Sequence, residues 1–358
     1  MKFCVSLILL CVFYSCEKSK VIPHPEHEEW GKYSPSKFNF PTTFKNFPQV
    51  PEPNWNVTTV EGVALGRKLY YDNILSTNGR SCSTCHLQEI GFSTHIDGPN
   101  GMSVPAHVNL AWNSNYGWLG LEQALDSVAL ADLEEDNIFL KANNELILEK
   151  FKIHKDYPRM FWKAFGIEII KITTAERKKY ISYALAQFMR TQISNNSKFD
   201  QYLRGESQLT SDEISGFSIF MDENKGDCFH CHGDGYNPMW RDNLLHNNGL
   251  DATHSGNNLG LYSITGIESD KGKFRTPTLR NIQLTGPYMH DGRYATLEEV
   301  VNFYSTGLNH SPSIDPLMKK VDQGGAQLNP TEKMQLITFL KTLTDYTFLT
   351  NAAFSKPE

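Results

Sequence analysis

The sequence predicts an all-α protein in which two related domains with long loops follow each other in tandem. Segments with apolar residues at helical spacing begin at capping residues, whereas the alternating pattern of β-strands is nearly absent. Two stretches, beginning at Gly66 and Gly216, also look alike. Each has apolar residues at the third to fifth positions after the glycine and an Asp at the sixth. Such self-similarity indicates a repeated structural unit.

Three helices are predicted with some precision. Thr174 and Glu176 open an apolar-periodic segment of about five turns. Thr296 and Glu299 form a capping box at the start of a second helix. Asn329 is directly followed by Pro330. Asn is a favoured N-cap residue and proline is favoured at the first helical position, so this pair predicts a third helix near the end of the chain.

The helix that opens at Thr174 is followed by Ser194-Asn195-Asn196-Ser197, a run of residues that ends helices and favours a loop. It predicts a domain boundary, with one domain over 58–200 and the other over 201–350. A chain of 358 residues with 40% hydrophobic and 12% aromatic residues can supply two cores.

The charge balance argues against nucleic acid as a partner. The chain has 34 Lys and Arg against 40 Asp and Glu, a formal net charge of -6. Nucleic-acid binding relies on a basic field that neutralises phosphates.

The N-terminus predicts export. Residues 1–15 contain Lys2 and an apolar run too short to span a bilayer, which is typical of a signal peptide. Ser15 directly before Cys16 indicates a bacterial lipoprotein signal, so Cys16 would carry a lipid on the periplasmic side of a membrane. Ordinary cleavage and an uncleaved anchor are the alternatives. The proline-rich stretch within 16–57 is predicted to be a tether.

The cysteines carry the strongest chemical signal. Of seven, Cys4 and Cys11 lie in the signal and Cys16 follows it. The other four form two C-x-x-C-H motifs that begin 146 positions apart. Two thiols at this spacing can bind the vinyl groups of one porphyrin, and the following His can ligate its iron. A redox dithiol, a zinc site or a disulfide would not explain the adjacent His residues. The predicted attachment cysteines and iron ligands are Cys82, Cys85, His86, Cys228, Cys231 and His232.

Motifs over most of the chain resemble those of the bacterial di-haem cytochrome c peroxidases, including their MauG-like members. They are Phe274–Asn281, Thr285–Gly292, Leu65–Leu69 and Leu75-Ser76. The resemblance implies two covalent haem c groups on cytochrome-c-like domains. The first haem would meet hydrogen peroxide, and the second would receive electrons from a small donor such as a cytochrome c or a cupredoxin. A MauG-like enzyme that oxidises residues of a partner protein and a non-enzymatic electron carrier are the alternatives.

The resemblance also implies a tryptophan bridge between the haems. Ala111-Trp112-Asn113 leads to Trp118-Leu119-Gly120, so Trp118 matches the bridging position, although Leu119 replaces the family's Asp. An aromatic ring can carry a hole between two irons. The alternative is that Trp118 is ordinary core.

In the family, a Gln and a later Glu serve the peroxide pocket. Gln123 matches the family's Gln. Glu134 is the acid nearest to the position of the family's Glu, if one residue is inserted between the two. An ionised carboxylate there would take a proton from peroxide and return it to the departing oxygen. Asp132, Glu135 and Asp126 are the rival acids.

Tyr304 stands where MauG places a tyrosine ligand of the second iron and other relatives place a methionine. The alternatives are that Tyr304 is an unligated aromatic of its helix, or that Met289 is the ligand. The family's interdomain calcium would use Thr285 and Pro287, but Ser103 replaces an Asn ligand and weakens that prediction. Neither His95 nor His107 matches the histidine that caps the first haem in resting relatives, so an open first iron is expected.

Overall fold

A computed structural model describes residues 27–41, 47–98 and 100–358. The signal peptide, Cys16 and the first part of the tether lie outside the described residues. The expected mostly helical fold is confirmed. The α-helices are α1 (His27–Trp30), α2 (Val60–Tyr71), α3 (Cys82–Cys85), α4 (Leu125–Val128), α5 (Asn144–Ile153), α6 (Tyr157–Phe165), α7 (Thr174–Thr191), α8 (Lys198–Leu203), α9 (Ser211–Met221), α10 (Phe229–His232), α11 (Tyr262–Thr265), α12 (Leu297–Thr306), α13 (Pro330–Lys341) and α14 (Tyr346–Leu349).

Shorter elements lie in the loops. Strands β1 (Leu245–His246) and β2 (Phe274–Arg275) pair antiparallel, with Leu245 opposite Arg275. Turns of 3-10 helix cover Asn73–Leu75, Gln88–Ile90, Leu110–Trp112, Ala131–Leu133, Gly256–Leu259, Glu268–Asp270 and Val321–Gln323.

Side-chain caps start the three predicted helices. Thr173 caps α7 in a reciprocal box with Glu176, one residue before the expected start. Thr296 and Glu299 form the predicted box at α12. Asn329 caps α13 ahead of its proline. In each case the cap satisfies backbone N–H groups that the first helical turn leaves free.

The two similar stretches lie on α2 and α9, and each glycine marks a close helix crossing. A Cβ atom on Gly66 would overlap the carbonyl oxygen of Ala184 in α7. A Cβ atom on Gly216 would overlap the carbonyl oxygen of Gln335 in α13. The glycines therefore let α2 and α9 approach their partner helices at backbone distance, which places the following cysteine motifs at equivalent ends of two helix pairs.

Two large hydrophobic clusters form the interior. The first is built mainly from residues 65–189 and the second from residues 199–343. The first also contains Phe348, Leu349 and Phe354, so the end of the chain returns to the N-terminal half. Buried ion pairs brace both halves, with Arg190 bound to Asp126 and Arg280 bound to Asp200.

The described part of the predicted tether lies against folded protein. Trp30 is buried, with its ring 6.5 Å from that of Trp162. Phe47 and Val50 are also buried and belong to a third, small cluster. Within residues 27–41, 47–98 and 100–358, none of the helices has both the length and the apolar character needed to cross a bilayer.

Candidate functional site

The first C-x-x-C-H motif occupies the short helix α3 and the residue after it. The Nδ1 atom of His86 lies 2.9 Å from the carbonyl oxygen of Phe92. That contact makes Nδ1 the donor and leaves Nε2 free to bind a metal. Burial lowers the pKa of His86 to about 4, so the imidazole is neutral, as an iron ligand must be.

The second motif ends helix α10 and opens into a cavity. The Nδ1 atom of His232 faces the carbonyl oxygen of Trp240 at 3.3 Å, which again leaves Nε2 free. Cys228, Cys231 and His232 line the cavity together with Trp118, Met289 and Tyr304. The predicted attachment and ligand residues of the second haem thus share one cavity with both candidate sixth ligands.

Among the described residues, the four motif cysteines form no disulfide. Burial raises the pKa of Cys82, Cys228 and Cys231 to about 12 each, and also raises that of Cys85. Buried, protonated thiols of this kind are not poised as a redox dithiol, which needs a lowered pKa.

Orphaned polar groups beside Val108 and Asn109 test whether a haem fits there. Among the described residues, Arg241 is buried without a carboxylate partner, and it donates to the carbonyl oxygens of Val108 and Asn109. Burial lowers its pKa to about 9. Several side-chain donors here also find no partner among the described residues: Trp112 Nε1, Asn113 Nδ2, Gln192 Nε2 and Arg241 Nε. Buried donors of this number require an acceptor. Porphyrin propionates supply carboxylates, so these residues fit a haem.

Trp118 connects the N-terminal half with the second cavity. Its indole Nε1 donates to the carbonyl oxygen of Ser103 at 2.8 Å. Its own carbonyl oxygen accepts from the backbone N–H of Arg275 in β2 at 2.9 Å. The first contact orients the indole ring, and the second holds the backbone of Trp118 against β2.

The acids predicted for the first pocket lie in different surroundings. Glu134 is exposed and forms an ion pair with Lys178 at 2.7 Å. Gln123 is also exposed, and its amide donates to the carbonyl oxygen of Gly120 at 2.7 Å. The structure therefore places neither side chain in an enclosed pocket.

Asp132 is an acid whose charge acts on both cysteines of the first motif. It lies on the Ala131–Leu133 turn, and its charge raises the pKa of both Cys82 and Cys85. Burial raises the pKa of Asp132 itself to about 6, against a weak hydrogen bond from Asn137 at 3.4 Å. A carboxyl with a pKa near neutral can both accept and return a proton.

The remaining rivals are unsuited to that task. Asp126 is buried, but its carboxylate already accepts from Arg190 and Asn56. Glu135 is exposed.

In the second cavity, the side-chain amide of Asn248 lies close to both Tyr304 and Met289. The Nδ2 atom of Asn248 lies 2.8 Å from the phenol oxygen of Tyr304 and 3.8 Å from the sulfur of Met289. Burial raises the pKa of Tyr304, so the phenol is protonated until a metal replaces the proton. A hydrogen bond from Asn248 to the phenol oxygen would also stabilise a phenolate.

Residues 60–208 match the family described as di-haem cytochrome c peroxidase. The methylamine utilization protein MauG of Methylorubrum extorquens is 32% identical over 313 residues, covering 84% of this chain and 83% of that protein. The chain belongs to the di-haem cytochrome c peroxidase family. Membership implies two covalently bound haem c groups, in agreement with the two motifs.

Two further relatives of this family member are informative. The cytochrome c551 peroxidase of Nitrosomonas europaea is 29% identical, covering 78% of this chain and 79% of that protein. A crystal structure of a MauG-like protein associated with microbial copper homeostasis superposes with a TM-score of 0.79 at 33% identity, covering 89% of this chain and 99% of that one. Both branches of the family are thus represented among its relatives.

The calcium expected from the family stays a prediction. Thr285 and Pro287 flank Gly286, and the Gly286–Pro287 peptide is cis. The carbonyl oxygen of Gly286 faces Nδ1 of His95 at 2.9 Å. Ser103, which replaces the family's Asn, donates its hydroxyl to the carbonyl oxygen of Met289.

Several residues at the two haem sites are not predicted by any pattern in the sequence. Tyr70 and His107 form a buried hydrogen bond beside His86. Asn248 and Arg241 are equally invisible, since an isolated Asn or Arg has no diagnostic spacing. The only available signal was Tyr70 itself, a phenol at a position where the apolar pattern of α2 predicts core.

Proposed function

We propose that the protein is an exported di-haem enzyme of the MauG type that uses hydrogen peroxide to oxidise residues of a partner protein. The observation that carries the proposal is Tyr304, which lines the second cavity with His232 and accepts from Asn248. The comparisons support it, since two MauG proteins are 32% and 30% identical to this chain. Cys16 would anchor the enzyme to the membrane, and the tandem haem domains would span 58–200 and 201–350.

The two haem groups, when bound, supply the peroxide-reactive iron and a second centre that stores an oxidising equivalent. Cys82, Cys85 and His86 would hold the first. Cys228, Cys231 and His232 would hold the second. Arg241 would neutralise a propionate of the buried porphyrin, because it otherwise lacks an anionic partner among the described residues.

Asp132 is the residue we assign to proton transfer. Its carboxylate would accept one proton of hydrogen peroxide and return it to the distal oxygen, which leaves as water. Glu134, the acid favoured by sequence alone, is held at the surface by Lys178. Trp118 keeps its predicted role between the haems, whereas Gln123 is exposed with its amide on the carbonyl oxygen of Gly120 and takes no part in the step.

A tyrosine ligand explains why oxidising equivalents would be kept for a protein substrate. A phenolate is a harder, anionic donor than a thioether, so it stabilises oxidised iron and lowers the reduction potential of the second centre. Asn248 would orient the phenol oxygen of Tyr304 toward the metal. Because one relative is associated with copper homeostasis, exported copper-handling proteins are the first substrates to test.

Cytochrome c peroxidase activity is the second candidate, and Met289 favours it. Its sulfur lies in the same cavity, 3.8 Å from Asn248 Nδ2, and a His/Met pair raises the reduction potential. Small cytochromes would then return electrons to the second haem, as the names of the cytochrome c peroxidase relatives suggest for those proteins.

Rapid mixing of the haem-loaded protein with one equivalent of hydrogen peroxide, without oxygen, tests the proposal. We expect a fast change in the main porphyrin band that persists until a reductant is added. The oxidised protein is then divided between reduced small cytochrome c and a mixture of exported proteins analysed by mass spectrometry. Oxidised residues in one exported protein would support the MauG-type function. Fast multiple turnover with the cytochrome alone would support the peroxidase, and no spectral change would refute both.

A further inference from the structure

Helix α6 carries basic side chains along its outer side. Arg159 and Lys163 are one turn apart and lie on the same side of the helix, and Lys155 continues this spacing just before the helix begins. Tyr157 and Phe161, on the opposite side, are buried in the first hydrophobic cluster. We call Lys155, Arg159 and Lys163 the basic stripe. Among the described residues, none of these three cations is paired with a carboxylate.

The stripe lies within a strongly basic part of the chain. Residues 150–179 hold nine Lys and Arg against three Asp and Glu, although the formal net charge of the whole chain is -6. Lys171 and Lys178, which follow the stripe, form ion pairs with Glu168 and Glu134. The stripe instead presents its charge to the solvent, and a surface of this sign favours an anionic partner.

The N-terminal segment meets the folded protein on the same helix. Helix α1 packs on α6, where the ring of Trp30 lies 6.5 Å from that of Trp162. The indole Nε1 of Trp162 donates to the carbonyl oxygen of Gly31 at 2.9 Å. A Cβ atom on Gly166, the residue after α6, would lie 3.1 Å from the ring of Tyr33. The N-terminal segment therefore enters the folded protein beside the basic stripe.

The proposed lipid on Cys16 lies close to this point along the chain. Ten residues separate Cys16 from His27, the first residue of α1. Because an extended chain rises at most ~3.6 Å per residue, the lipid lies within about 40 Å of α1. A folded chain of this length has a diameter of about 50 Å. An orientation with α6 turned fully away from the membrane would therefore need a longer connection.

Exposed apolar side chains stand at both ends of the stripe. Ile153, the last residue of α5, is 48% exposed and precedes Lys155 by two positions. Tyr33, at the other end of α6, is 42% exposed. Basic side chains beside aromatic and aliphatic ones suit the headgroup region of a bilayer, where cations meet phosphates and apolar groups enter the acyl boundary. An acidic protein would explain the cations, but not their position beside the anchored segment.

We propose that the basic stripe binds anionic phospholipid headgroups of the membrane that carries the enzyme. The inference rests on the proposed function, in which Cys16 carries the lipid. The lipid keeps the protein at the membrane, and the stripe sets which side of the protein faces it. The described residues that line the second cavity are Trp118 and residues within 226–340, so lipid contact at α6 does not cover them.

The first test labels the lipidated, haem-loaded protein on vesicles with an amine reagent that does not cross membranes. Mass spectrometry should find Lys155 and Lys163 protected on vesicles that contain phosphatidylglycerol. Both should be modified on neutral phosphatidylcholine vesicles, and also in about 1 M salt, where the Debye length falls to ~3 Å. Lys333 and Lys341, on α13, are the internal control and should be modified in every case. Equal modification of the stripe on anionic and neutral vesicles would overturn the proposal.

The second test measures the stripe without the lipid. A Cys16→Ser variant with its signal removed, loaded with haem, should sediment with phosphatidylglycerol vesicles. Each Lys or Arg near an anionic surface strengthens binding about fivefold, so Arg159→Gln with Lys163→Gln should weaken it roughly 30-fold. Lys333→Gln with Lys341→Gln makes the same change of charge on another long helix and is the matched control. It should bind as tightly as the parent.

The membrane contact and the proposed enzyme can fail separately. The double variant of Arg159 and Lys163 should keep the porphyrin-band change with hydrogen peroxide, because neither residue is assigned to a haem. Unchanged vesicle binding in that variant would overturn the membrane contact, and an accompanying loss of oxidation of exported proteins would assign the stripe to an acidic protein partner. A mass that shows no lipid on Cys16 would overturn the inference together with the anchor. Protection of the stripe without any porphyrin-band change would overturn the enzyme and leave the membrane contact standing.

Discussion

Replacing Asp132 with Asn should slow the reaction with peroxide and stabilise the protein at once. The surroundings of the acid explain both effects. Its half-buried carboxylate acts electrostatically on Cys82 and Cys85, and burial raises its pKa from 3.8 to about 6. The charged form that proton transfer requires is the form that burial penalises.

The sizes of the change in rate and of the change in stability can both be worked out for Asp132. Removal of a general base costs about 10²–10⁴-fold in rate, so D132N should slow the porphyrin-band change by that factor. A pKa raised by two units corresponds to about 3 kcal/mol that the charged form costs the folded state at neutral pH. D132N removes that cost, so its free energy of unfolding at pH 7 should be higher by up to this amount.

The dependence on pH has a definite sign. Between its unfolded and folded pKa values, Asp132 binds more protons in the folded protein, so stability falls as pH rises from about 4 to about 6. Over the upper part of that range, the rate of reaction with peroxide should rise as the carboxylate forms. Both trends should vanish in D132N.

Stopped-flow absorbance and urea titration across this pH range, with haem-loaded protein, measure the two effects. Glu134→Gln is the matched control, because Glu134 is exposed and its ion pair with Lys178 is worth ~0–1 kcal/mol. Its rate should stay at the parent value. A slow E134Q beside a fast D132N would refute the assignment and return the role to Glu134.

Three further outcomes are expected. Tyr304→Met should raise the reduction potential of the second haem by on the order of 100 mV in a spectroelectrochemical titration, and an unchanged potential would exclude Tyr304 as its ligand. Gly216→Ala should lower the free energy of unfolding by ~1–3 kcal/mol through overlap with α13. Ser218→Ala, at an exposed position of the same helix, should change it by less than ~0.5 kcal/mol. Hydrogen bonds to two flanking carboxylates raise the pKa of His246 above 6.5, so its stabilisation should be present at acidic pH and be lost as pH rises through the raised value. His246→Asn should remove that dependence from thermal unfolding curves.

Local signals in the sequence were sufficient for the helices. Caps such as Asn329 and the box at Thr296 act within a single turn, so their pattern alone predicts where α13 and α12 begin. The glycines at 66 and 216 were recognised as a repeat. Their physical reason, contact with the backbone of another helix, became visible only in three dimensions.

The site was harder to predict because its residues come from distant segments. The cysteine motifs are contiguous, and they place His86 and His232 beside backbone carbonyl groups that orient them. The choice between Asp132 and Glu134 depends on which way a loop turns, because two positions along the chain separate a half-buried carboxyl from an exposed one. No local pattern encodes that choice.

The return of the C-terminus to the N-terminal half has a consequence for biogenesis. Phe348, Leu349 and Phe354 complete the first hydrophobic cluster, and Arg67 binds the carbonyl oxygens of Ala352 and Ser355. Residue 67 is made long before residue 355, so the N-terminal half cannot complete its packing on its own. A protein cut short before residue 348 should therefore leave the first hydrophobic cluster open on one side, even though it contains both cysteine motifs.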